Sequence, residues 1–104
     1  MMSKPMLYAM TRAASDAGQP LALAKLKGSH LPHHLSRARF YAWAYLRAVD
    51  PEKYSMPVLA RLFAIKDHTS VLYGVRRMYA KHGEAHFWEL ADADGLVCKL
   101  EGAA

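Results

Sequence analysis

The sequence offers a single cysteine, Cys98, among 104 residues, so no internal disulfide can brace it. That suits a reducing compartment. No apolar run approaches the twenty or so residues needed to cross a bilayer, and the opening Met1-Met2-Ser3-Lys4-Pro5 lacks a signal peptide's apolar segment. An intracellular, cytoplasmic protein is expected. No Gly-rich loop followed by Lys-Ser/Thr is present, and no Ser-His-Asp or Cys-His set has a supporting context. Nucleotide hydrolysis and enzymatic chemistry are therefore not expected. Metal ligands are equally sparse. His30-x-x-His33-His34 has no cysteine or carboxylate partners at zinc spacing, and Asp92-x-Asp94-Gly95 opens like a calcium loop without its later ligands. No cofactor is expected.

Acidic residues are scarce through most of the chain. Thirteen of the fourteen Lys and Arg residues, but only four of the nine acids, lie in residues 1–82. The body is thus basic and the tail acidic, and a basic body is an electrostatic footprint for a polyanion. A hydrophobic fraction of 53% with 22% charged residues places the chain among globular proteins, at a length that suits one core.

Read for periodicity, the body is all-α. Pro5 with Met6, Met10, Ala13 and Ala17 predicts a helix ended by Gly18, and residues 20–27 predict a short second one stopped by Gly28. After a connection over 28–35, residues 37–49 form a helix that is apolar around much of its circumference, from Phe40 to Val49, and so should be central. Ser55 and Pro57 open a shorter helix carrying Val58, Leu59, Leu62 and Phe63 and ending near Ala64. Asp67 then caps an amphipathic helix through Lys81, with Val71, Leu72, Val75, Met78 and Tyr79 on its apolar side. Thr69, Tyr73, Arg76, Arg77 and Ala80 occupy the other. Helix, short turn, helix is a helix-turn-helix candidate, although periodicity alone equally admits an antiparallel pair in an ordinary bundle.

The run Lys66-Asp67-His68-Thr69-Ser70-Val71-Leu72-Tyr73-Gly74-Val75-Arg76-Arg77-Met78 resembles the signature of the C-terminal duplex-binding domain of the bacterial replication initiator DnaA. Ser55-Met56-Pro57 is similar to that family's Ser-Leu-Pro, and Arg37-Ala38-Arg39-Phe40-Tyr41-Ala42 to its Arg-x-Arg-Gln-x-Ala. The resemblance covers residues 6–81. It implies a compact bundle of about five to six helices containing a Trp-repressor-like helix-turn-helix, and base contacts from Asp67, His68 and Thr69. Thr69 can set its methyl against a thymine methyl; His68 and Ser70 can donate to bases or phosphate; Asp67 can cap the helix, accept from a cytosine amino group, or do both. Lys66, Arg76, Arg77, Arg37, Arg39 and Arg47 are the expected phosphate contacts, and Pro57 and Tyr73 complete the expected DNA-binding set.

The pattern also departs from the family's. Ala64-Ile65 replaces paired glycines in the turn, and Tyr73-Gly74 replaces a histidine and an alanine. The connection before Arg37 holds His30, His33 and His34 where the family has arginines. Residues 84–104 form an acidic extension of the domain spanning 1–83: a short helix from Glu84 to Ala91 with Phe87 and Trp88, a turn over 92–95, and an apolar patch at Leu96, Val97 and Leu100 where a strand is conceivable. This tail either covers the core, meets a second copy as a homodimer, holds a protein partner, or competes with DNA. The expectation is a stand-alone, nucleoid-associated protein binding double-stranded DNA in replication or transcription, with no membrane or nucleotide partner. The alternative is a protein-interaction module of the same fold that uses its aromatic and acidic tail.

Overall fold

Ser3 accepts from the Met6 backbone N–H at 3.4 Å, Pro5 sits in the first turn, and Gly18, at φ +70°, closes α1 (Lys4–Ala17). This is seen in a computed structural model that describes residues 2–96. Instead of a helix over 20–27, a single 3-10 turn forms at Leu23–Leu26. Ala22 supplies no side-chain cap and only Leu26 is buried, so nothing sustains a longer element. The next helix, α2 (His33–Val49), starts four residues before Arg37. Pro32 presets the entry, and its carbonyl accepts from the amides of Leu35 and Ser36 at 3.0 Å each. Asp50 ends it, its carboxylate accepting from the amides of Glu52 and Lys53.

Ser55 caps α3 (Met56–Leu62) by accepting from the Val58 amide. That helix stops two residues before Ala64, because Phe63 turns into the core and Ala64 adopts a positive φ of 56°. The Ile65 amide then reaches back to the Ala60 carbonyl at 2.9 Å, a helix-ending motif whose left-handed residue is usually glycine. Asp67 caps α4 (His68–His82), and α5 (Glu84–Ala93) follows directly from Gly83.

The result is an all-α bundle of five α-helices, with no strand among the described residues. α2 runs through the middle, α1, α4 and α5 packing on it and α3 on α4. Trp43, Tyr45 and Leu46 are fully enclosed, together with Phe63 from the end of α3, Val71 from α4 and Phe87 from α5. Most apolar positions read from the sequence thus point inward, among them Met6, Met10, Ala13, Leu59, Val75 and Met78, while Ala17 is exposed. α5 is clasped to the body: Arg12 donates through Nε and Nη2 to the Asp94 carboxylate at 3.0 and 2.6 Å, and the Tyr45 hydroxyl donates to it at 2.7 Å. The patch and possible strand beyond Leu96, and Cys98, lie outside the described residues. No helix among those described is long and apolar enough to cross a membrane.

Candidate nucleic-acid interface

α4 buries Val71, Gly74, Val75 and Met78 against the core and leaves Lys66, Asp67, His68, Thr69 and Ser70 exposed at its head. The Asp67 carboxylate accepts from the Thr69 hydroxyl at 2.5 Å and from the Thr69 amide at 2.9 Å. These bonds, the hydroxyl's first, hold its carboxyl below the ordinary aspartate range. Asp67 is therefore an ionised cap, and its grip fixes the Thr69 hydroxyl. Pro57 is exposed at the head of α3.

The six cations expected around this tip divide. Lys66, Arg37, Arg76 and Arg77 are exposed. Arg39 is not: only 7% of it is accessible. Its Nη1 donates to the carbonyls of Leu26 at 3.0 Å and Gly28 at 2.6 Å, and its guanidinium lies 5.1 Å from the centre of the Trp43 ring. Burial lowers its pKa, although the group stays charged. Arg47 is also turned to structural use, donating to the carbonyls of Pro51 and Tyr54 at 2.8 and 3.3 Å. The burial of Arg39 corrects the expected phosphate set, while Arg47 is half-buried and engages these carbonyls through Nη1 alone. The spacing held the warning for Arg39, which stands four residues before Trp43 and seven before Leu46, on the inward stripe of α2.

Between α2 and α4 runs a trough that the sequence did not reveal. Near the tip it is lined by Ser36, Phe40, Trp43, Thr69, Ser70 and Tyr73, with Arg39 beneath. It then opens into a hollow of about 610 Å³ between Arg37 and Ser36 on one side and Tyr73, Arg77 and Lys81 on the other. Three of its lining residues lie outside the expected site: Ser36 precedes the predicted start of α2, Phe40 reads as an apolar core position of that helix, and Lys81 follows Arg77 by one helical turn. Tyr73 meets the edge of Phe40 with centroids 6.1 Å apart and carries Arg77 against it, the guanidinium 5.7 Å from the ring centre. Gly74 makes room for the Phe40 ring at the crossing.

At the far end of α4, His82 and His86 stack with centroids 5.0 Å apart, and the Tyr41 hydroxyl pairs with His86 Nε2 at 2.8 Å. Burial pushes the Tyr41 phenol up to about 12 and pushes His82 below the ordinary histidine value. His82 Nε2 lies 4.0 Å from Asp16. Among the described residues no three His, Cys, Asp or Glu side chains converge as metal ligands.

Comparison with protein families, curated proteins and solved structures finds no match for this chain.

Proposed function

We propose that the protein binds double-stranded DNA by placing the head of α4 in a major groove, in the manner of a helix-turn-helix. The observation that carries this reading is the tip from Lys66 to Ser70, five exposed residues on a helix whose opposite face is locked into the core. A rigid mount and an open, capped end are what base reading requires. His68, Thr69 and Ser70 are the readers, and Asp67 sets their geometry. Lys66, Arg76, Arg77 and, from α2, Arg37 hold phosphates.

With Arg39 buried and Arg47 engaged by its own loop, about four phosphates are neutralised, so binding should weaken with salt on a log–log slope on the order of −4. The likeness of Lys66 to Ser70 to the initiator's reading segment supports the same function. On this reading the chain regulates replication or transcription by occupying its site. Three base readers are few for selective binding by one copy, and a second copy alongside would supply the remainder. The tail reading is less well supported: Phe87 is fully buried, and Asp94 is taken up by Arg12 and Tyr45.

The experiment is a titration of mixed-sequence duplex at two salt concentrations with the parent, Thr69→Ala and Arg37→Ala, followed by selection from a random duplex pool. Salt-sensitive binding weakened by both substitutions, and an enriched sequence, are expected. Feeble binding that is the same for all three proteins overturns the proposal.

A further inference from the structure

We infer that the trough between α2 and α4 holds single-stranded DNA, a second binding mode beside groove reading by the tip. Tyr73 is 57% exposed, the only aromatic among the exposed large side chains of the described residues. It is also held in place. Phe40 meets it at 84°, and Arg77 lies against it with Nη1 3.3 Å from the phenol oxygen. A fixed aromatic ring beside an arginine is a stacking platform, and it stands in a hollow walled by Arg37, Arg77 and Lys81 with no acid among its lining residues. An acid lines the adjoining hollow, where Asp16 is accompanied by His33 and His34.

Duplex DNA does not satisfy this arrangement. Its base faces are stacked on one another and cannot reach a ring set between two helices, whereas an unpaired base can lie on Tyr73 while its neighbouring phosphates meet the three cations. From Ser70 to Lys81 the trough follows about 16 Å of helix, at about 1.5 Å per residue, enough for a short run of nucleotides.

The probe is a fluorescence titration with oligodeoxythymidylate. In Tyr73→Trp the new indole reports stacking directly, against a parent whose Trp43 is fully buried and whose Trp88 is half-buried. Saturable quenching is expected in Tyr73→Trp and not in the parent. Tyr73→Leu should weaken strand binding about tenfold or more, Tyr73→Phe should keep it within about twofold, and His68→Ala should lower duplex binding while sparing the strand. Absence of quenching in Tyr73→Trp, or equal strand affinity in Tyr73→Leu and the parent, overturns the inference. The two modes fail separately: duplex binding without quenching removes only the trough, and quenching without duplex binding removes only the tip.

Discussion

The ring of Phe40 fills the space that a side chain on residue 74 would need: a Cβ built on Gly74 overlaps the ring's Cδ1. α2 and α4 cross at this point, so glycine in mid-helix sets how close α4 lies to the core.

Gly74→Ala is therefore expected to destabilise. Alanine favours the helix by about 1 kcal/mol, but forcing a methyl against an aromatic ring held between helices costs about 1–3 kcal/mol. Urea denaturation should show a net loss, and in a Phe40→Ala background the same change should become neutral or stabilising. A penalty that survives the removal of Phe40 would sink the explanation.

Arg39 and Arg37 lie two residues apart and should behave oppositely. Arg39→Ala removes a charged donor from two backbone carbonyls and empties a buried site, lowering stability by roughly 2–4 kcal/mol. Arg37→Ala should leave the melting curve within about 0.5 kcal/mol of the parent and reduce the salt slope of duplex binding by about 1. Thermal unfolding and binding at several salt concentrations check both.

Ala64 holds the left-handed conformation that ends α3. Glycine has no Cβ penalty there, so Ala64→Gly should raise stability by about 1 kcal/mol, read as a higher Tm. Ile65→Gly should not, because the positive φ falls on Ala64 and spares the β-branched residue.

Two groups predict a loss of stability in acid. The hydrogen bond from Arg12 is the main cause holding Asp94 below the ordinary carboxylate range, so this contribution is present above about pH 4 and is lost as pH falls through the lower folded value. Asp94→Asn should cost roughly 1–2 kcal/mol at neutral pH, Arg12 being partly exposed, and little once the carboxylate is protonated. His82 is depressed mainly by burial, with His86 and Lys81 adding to the shift and Asp16 opposing it. Its contribution is complete above about pH 6.5 and declines as pH falls through its folded value. His82→Gln should flatten the Tm profile in that window; an unchanged slope would show that His82 is not responsible.

Caps and inward stripes were legible in the sequence because they depend on residues three or four apart. Ser55 and Asp67 each accept the backbone N–H expected of a helix start, and Val71, Val75 and Met78 face the core. The start of α2 was not legible, since Pro32 presets the entry without a side-chain cap. The spacing of Arg39 marks it as inward-facing, but the partners of Arg39 and Arg47 were not legible, since they are carbonyls exposed by a 3-10 turn and by the loop after α2. An arginine reads as a surface charge until the partners that can hold it inside are placed. The trough was hidden for the same reason, being formed by residues some forty positions apart whose meeting follows from the crossing at Gly74.

One hydrogen bond reaches further than its length suggests. The Gly28 amide donates to the Phe63 carbonyl at 2.9 Å, and the Gly28 carbonyl is gripped by Arg39. The linker before α2 is thereby stitched to the corner from which α4 departs. The tilt of α4 is consequently adjustable from a distance: changes in that linker would re-aim the helix while every side chain it carries stayed the same.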